Sequence, residues 1–435
     1  MSDTSYVRTE MLEQREPPAS TVGVIGWARA NLFSSALNSV LTLVALGFVA
    51  YILSALIPWT FQSVWNAESL SECREIMIAT WGSTHGHACW AVINDRWLQM
   101  LYGFYPSHLY WRVNLALVLT LAALAPVLFS EKSPRQMIYL TLAYPFIMPW
   151  LMWGGSIWNP ISAAVGFAIV FFGTRHLTAM TGSLIAIIAS VIAALLWWMA
   201  ISAPVVAGLS SVIPIGIETV QSREFGGFML ALLLGIVAIG VSLPIGILLA
   251  LGRQSDLMIV KAICVGFIEF IRGVPLITLL FVASLLLNVF LPPGTNFDII
   301  LRVMIMMTLF SAAYMAEVIR GGLAALPKGQ YEGADSLGLN YWQAQRLIIM
   351  PQALKISIPG IVSTFIGIFK DTTLVSIIGL LDVIGFSTAI RADANWNGIY
   401  WELFAFIAVL FFVVCFSMSR YSMYLERKLQ TGHKR

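Results

Sequence analysis

Residues 226–251 read GGFMLALLLGIVAIGVSLPIGILLAL, an apolar run without a single charge that Arg253 closes. A bilayer's hydrocarbon layer is crossed by about 20 such residues wound as a helix. Only a helix or a closed barrel satisfies the backbone N–H and C=O groups there. Pro244 and the glycines do not argue against a span, because helices in lipid tolerate both. Similar runs lie near 36–57, 113–129, 138–153, 159–172, 183–203, 262–290, 299–320, 354–379 and 403–424. The runs at 262–290 and 354–379 are long enough to be tilted or broken. The fold class expected is therefore an all-α integral membrane protein of about ten transmembrane helices.

Composition agrees. Of 435 residues, 59% are hydrophobic and 11% charged, where a soluble domain carries roughly a quarter charged. A net charge of +3 gives no case for a nucleic-acid partner; membrane lipid is the expected surrounding. The segment before residue 36 is mixed polar, with Glu10, Glu13 and Glu16. It lacks the short basic start and apolar core of a cleavable signal, so residues 1–35 are expected to stay as a cytosolic tail.

Basic residues orient the spans. An inside N-terminus puts Lys132, Arg135, Arg175, Arg253, Lys261, Lys328, Arg346, Arg427, Lys428, Lys434 and Arg435 on the cytosolic side. Fewer fall outside, among them Arg74, Arg96, Arg112, Arg223 and Arg391. The expected orientation is N-in and C-in, as an even number of spans requires. Composition divides the chain near residue 225: an N-terminal region 36–225 with an outer polar insert 58–112, a second region 226–424 richer in charged and glycine-containing segments, and a C-terminal tail 425–435.

The polar segment 327–351 carries the functional signal. Residues 330–337 suit a helix that Gly338 ends, since glycine takes the left-handed cap conformation readily. Asn340 suits an N-cap, and Gln343 three residues on completes a capping box. Pro351 is expected to prevent simple continuation into the next span. Read blandly, this is an amphipathic loop on the membrane surface; read functionally, it docks a soluble partner. Its spacing, Glu332-Gly333-Ala334, then Gly338, then Ile348-Ile349-Met350-Pro351, resembles the signature of permeases of ABC importers: Glu-Ala-Ala, a Gly four residues on, then Ile-x-Leu-Pro. Gly333 and Met350 are the departures. The resemblance implies a loop that inserts into a groove of a nucleotide-binding subunit and passes ATP-driven closure to the membrane helices. No phosphate-binding Gly-x-x-x-x-Gly-Lys-Ser/Thr loop is present, so ATP and Mg would sit on a separate ATPase.

Flanking segments narrow the branch. Residues 269–276 (EFIRGVPL), 313–322 (AYMAEVIRGG), 326–330 (LPKGQ) and 370–376 (KDTTLVS) resemble, in this order, the polar amino-acid permeases, over about residues 226–424. That implies a five-helix type I importer core. Charges at membrane depth pair, face water or snorkel. Glu269, Arg272, Glu317, Lys370 and Asp371 are thus candidates for the substrate pathway, with Lys370 and Asp371 expected to form a buried pair beside it; the resemblance adds Ser363, Thr364 and Thr372 as candidates. Arg272 and Arg320 are as readily interfacial charges. Gly273 and Pro275 in one run suggest a broken helix lining a cavity. Where the family often has Asn-Glu before the Lys-Asp-Thr segment, this chain has Ser363-Thr364, which argues against a pocket dedicated to cationic amino acids.

The whole layout, with Cys89-Trp90-Ala91-Val92-Ile93, Gly103-Phe104-Tyr105-Pro106 and Trp111-Arg112, is similar to the larger permease of the general L-amino-acid importers of proteobacteria. Cys73 and Cys89, outside the membrane in the expected topology, suit a disulfide. With His85 and His87 they could alternatively supply four zinc ligands. Trp81, Trp90, Trp97, Tyr102, Tyr105, Tyr110 and Trp111 suit an interfacial belt and local core, or a surface for a binding protein.

These features imply an inner-membrane permease subunit that translocates L-amino acids of broad range by ATP-driven alternating access. It would do no covalent chemistry and hold no catalytic residue, metal or nucleotide of its own. Its partners would be an ABC ATPase homodimer, a second, similar permease forming a heterodimer, and a periplasmic amino-acid-binding protein. The rival is a secondary transporter driven by an ion gradient, which would not need the loop at 332–351. A membrane enzyme is a weaker third possibility, because the five histidines are scattered.

Overall fold

A computed structural model describes residues 23–286 and 298–429. Most of the tail 1–35, including Glu10, Glu13 and Glu16, lies outside them, as do Lys434, Arg435 and the end of the run 262–290. The chain packs as two compact units, one through Asn94 and one from Asp95. The change of composition near residue 225 falls inside the second.

The first unit begins with α1 (Gly23–Asn31) and α2 (Ala36–Phe61). Ser35 caps α2, its Oγ accepting from Asn38 N at 3.2 Å. Helix α2 is apolar throughout and buries none of its residues, as a helix lying in lipid does. The insert folds as α3 (Leu70–Trp81), capped by Ser69 and ended by the left-handed Gly82, and the start of α4 (Ala91–Tyr102). A disulfide joins Cys73 to Cys89, so the thiolates of the zinc reading are not available. His87 stacks on Trp81 at 4.5 Å, and its Nδ1 lies 3.0 Å from Gln62 O. Trp90 donates to Thr60 O and packs against Trp59 and Trp65, a small aromatic core.

The second unit continues with α5 (Tyr110–Leu128), α6 (Met137–Trp153), α7 (Trp158–Thr181), α8 (Ser183–Leu196) and α9 (Ser202–Val212). Helices α8 and α9 are joined through a π turn at Trp197–Ile201. A two-residue antiparallel ladder, β1 (Gly155–Ser156) with β2 (Gly216–Ile217), ties the start of α7 to the chain beyond α9. Then come α10 (Gly227–Arg253), α11 (Met258–Gly273), α12 (Leu276–Phe281), α13 (Ile299–Ala324), α14 (Lys328–Ser336), α15 (Tyr341–Ala344), α16 (Met350–Asp371), α17 (Val383–Ala392) and α18 (Trp401–Leu429).

Among the described residues eight helical segments are long and apolar enough to cross a membrane, or nine if α11 and the segment Leu276–Leu286 count as one bent span. The bend is 102° and falls at Gly273–Pro275, where proline removes a donor and restricts the residue before it. The run expected at 138–153 is the 17-residue α6, which contains Pro145 and Pro149 and is shorter than a full span.

Helix α13 is the most buried span and packs between α10 and α16. Small residues allow the approach, as is usual between helices in lipid. A side-chain atom at Gly246 would lie 2.7 Å from Met315 Cβ, and one at Gly322 would lie 2.5 Å from Ala353 O. Ser311 donates to Ser242 Oγ at 3.0 Å across the buried α10–α13 seam. At the other end of α10, Gly103 (φ +68) comes so close to Gly226 that a Cβ there would meet its Cα at 2.5 Å. Chain 123 residues away in sequence is thereby fixed against the start of α10.

Candidate functional site: a charged cluster and an exposed helical loop

Helix α14 follows Pro327, whose fixed φ suits a helix start. Its chain turns at Gly338, which has φ +69, a left-handed conformation that would cost another residue about 1 kcal/mol or more. Gly338 N donates to Asp335 O at 2.9 Å, and Leu339 N to Ala334 O at 3.3 Å. Asn340 and Gln343 form a reciprocal capping box, each side chain accepting from the other's backbone N–H at 3.0 Å. Beyond α15 the chain does not break at Pro351. A π turn at Gln345–Ile349 runs straight into α16, with Pro351 in its first turn. The wider turn lets the chain continue at a position where the missing N–H does no damage.

One side of this loop is built into the core. Ile349 is buried in a cluster with Met315, Ile319, Leu323 and Ala353, Tyr331 of α14 packs against that cluster, and Ala334 is itself buried. Gln352 Nε2 donates to Gln330 Oε1 at 2.8 Å and ties α14 to α16. The other side is open. Glu332 and Gly333 are exposed, and Leu337, Tyr341, Trp342 and Leu347 are 72%, 52%, 66% and 64% exposed. Large apolar side chains held out by a rigid, capped frame form a patch that suits a protein partner.

Two turns before α13 ends, Glu317 gathers three guanidinium groups. Its Oε1 accepts from Arg320 Nε at 2.9 Å and Nη2 at 2.5 Å. Its Oε2 lies 3.4 Å from Arg253 Nη1 and 3.8 Å from Arg272 Nη1. Arg253 also donates to Glu269 Oε1 at 2.8 Å, and the Arg272 guanidinium sits 5.6 Å from the centre of the Tyr314 ring. The ends of α10, α11 and α13 are thus cross-linked by three cations and two carboxylates. Their place in or near apolar runs singled out Glu269, Arg272 and Glu317 as pathway candidates; the structure joins Arg253 and Arg320 to them.

The remaining candidates lie along α16. Lys370 and Asp371 do not form the expected buried pair: Lys370 is exposed, Asp371 half-buried, and no ion pair joins them among the described residues. Adjacent positions on a helix face different ways. Ser363 is exposed, and half-buried Thr364 donates to Gly360 O at 2.9 Å. Thr372 is fully buried and bonds Phe369 O at 2.7 Å, which makes it part of the helix end.

Two polar groups escaped the sequence. Arg302, in the first turn of α13 and 8% exposed, donates to Ser284 O at 2.9 Å and so binds α13 to the π turn after α12. Its lone place in an apolar run was the available signal. Asp382, between spans and fully buried, caps α17 by accepting from Gly385 N at 2.9 Å. Burial pushes its carboxyl up to about 6, against the pull of the capping N–H groups. Nothing local in the sequence marks that burial. Among the described residues no group of three or more His, Cys, Asp or Glu side chains is placed to hold a metal ion.

Residues 242–431 match the family model of binding-protein-dependent transport system inner membrane components. Over the full length of both chains the protein is 58% identical to the glutamate/glutamine/aspartate/asparagine transport system permease protein BztC of Rhodobacter capsulatus. It is 40% identical to the inner membrane amino-acid ABC transporter permease protein YhdY of Escherichia coli, over 93% of each chain. A crystal structure of an amino acid ABC transporter with histidines aligns with 46% of this chain and 92% of its own, at 31% identity and a TM-score of 0.42.

Proposed function

The chain belongs to the amino-acid ABC transporter permeases, and from that premise we propose that it builds the membrane pathway of an importer for glutamate, glutamine, aspartate and asparagine. The observation that carries the proposal is the full-length match to the Rhodobacter capsulatus relative, whose name gives those four substrates. Ser363 and Thr364 fit that set, since neither offers a carboxylate to a cationic side chain.

Segment 327–351 is the coupling element of this account. A homodimeric ABC ATPase, which carries ATP and Mg, receives Glu332, Leu337, Tyr341 and Trp342 in a groove. Closure of the ATPase then moves α14 as a rigid piece. Tyr331, Ile349 and the Gln330–Gln352 bond transmit that movement to α13 and α16. The cluster around Glu317 holds α10 and α11 to α13, so the three helix ends move together as access alternates. This chain performs no chemistry itself. A periplasmic binding protein delivers the amino acid, a second permease completes a heterodimer, and both termini of this chain lie in the cytosol.

Uptake of radiolabelled glutamate by vesicles holding the assembled importer tests the proposal. It predicts ATP-dependent uptake, competed by glutamine, aspartate and asparagine and not by arginine or lysine. Uptake that follows an imposed ion gradient without ATP contradicts it.

A further inference from the structure

A cavity of about 240 Å³ lies between α5, α6, α10 and α18, away from both the loop and the Glu317 cluster. Its walls include Ala116, Met148, Met152, Leu233, Ile236 and Leu410. That is well above the roughly 10–15 Å³ a single water needs. A buried water needs two to four polar partners, and the hydroxyl groups here are already engaged, which leaves one amide donor at the margin. Thr120 and Tyr144 are hydrogen-bonded to each other, and the Thr120 hydroxyl also donates to Ala116 O at 2.7 Å. Tyr102 donates to Asn114 Oδ1 at 2.8 Å and stacks on Tyr110 at 4.0 Å. The space therefore suits neither water nor a charged amino acid.

The exposed residues at its margin are Asn114 and Leu117, and beyond them on α5 and α18 stand Val118, Leu121, Val409, Phe412 and Val413, all exposed and apolar. These helices are membrane spans, so hydrocarbon meets that opening. Asn114 marks one end: its amide N–H₂ makes no hydrogen bond among the described residues and is a donor suited to an ester carbonyl. We propose that the cavity holds one acyl chain of a membrane phospholipid, with the ester end at Asn114 and the chain running past Ala116 towards Met148 and Ile236. The lipid would wedge α5 and α6 against α10, a structural ligand joining the N-terminal helices to the core.

The test uses the full importer in nanodiscs of phosphatidylethanolamine and phosphatidylglycerol, doped with a phospholipid bearing a photoreactive diazirine in one acyl chain. After irradiation, peptide mapping scores label on the lining residues Met148, Met152 and Ile236 against the outward residues Val118 and Phe412. The proposal predicts label on the lining several-fold above the outward residues, and its loss in Ala116→Phe, which fills the cavity. Ala116→Leu, a smaller intrusion, provides the same comparison should the larger variant not assemble. Label confined to outward residues overturns the proposal. So does lining label that neither variant reduces, or a lining found cross-linked to a second protein chain.

Discussion

Replacing Glu317 by glutamine removes the one carboxylate on which three arginines converge while keeping its shape. Glutamine retains one oxygen acceptor but no charge, so the two bonds from Arg320 weaken and Arg253 keeps only Glu269 as a carboxylate partner. A hydrogen bond to a charged group contributes about 1.5–3 kcal/mol. The Glu317 side chain is 25% exposed, which screens part of this. A total loss of about 3 kcal/mol follows, with the bonds to Arg320 supplying most of it. In melting temperature that is a fall on the order of 5 °C. Thermal unfolding of the purified chain in detergent reads it directly. A double-mutant cycle with Arg320→Gln isolates the pair, with an expected coupling of about 1–2 kcal/mol. A melting temperature within about 1 °C of wild type, together with additive single variants, refutes the claim that this cluster ties the helix ends together.

Three further outcomes are expected. The Asp382 carboxyl, raised to about 6, binds its proton more tightly folded than unfolded. Its favourable contribution is therefore full below the ordinary carboxylate range near 3.8 and is lost as pH rises through about 6, on the order of 3 kcal/mol in all; melting curves of wild type and Asp382→Asn should converge towards pH 4 and diverge by pH 7, and parallel curves count against the buried carboxyl. Reduction of Cys73–Cys89, 16 residues apart, should destabilise the insert by about 3 kcal/mol and raise the rate of trypsin cleavage at Arg74, whereas an unchanged rate means the bond is dispensable there. Thr364→Glu should shift uptake towards cationic amino acids; an unaltered substrate spectrum removes Thr364 from the pathway.

What the sequence makes legible here is what depends on neighbours in the chain. The capping box at Asn340 and Gln343, the left-handed turn at Gly338 and the break at Gly273–Pro275 each follow from a few adjacent residues. The spans follow from long apolar runs. Distance in space is another matter. Arg253 and Glu317 are 64 residues apart, and no local pattern brings them together. The same holds for Gly103 against Gly226, and for the burial of Asp382. Lys370 and Asp371 mislead because closeness in sequence is not pairing on a helix. Pro351 misleads because a π turn absorbs what a regular helix could not.

The central claim is that segment 327–351 couples this chain to an ATPase. Its most direct test is co-purification of the tagged chain from detergent with its ATPase, for wild type, Glu332→Ala and Gly338→Ala, alongside the ATPase rate stimulated by binding protein and amino acid. The account predicts that the ATPase arrives with the wild type. In the variants it is lost, or it remains bound with its stimulation abolished. Full retention and full stimulation in both variants would contradict the account, as would a wild-type chain that brings down no ATPase while supporting uptake.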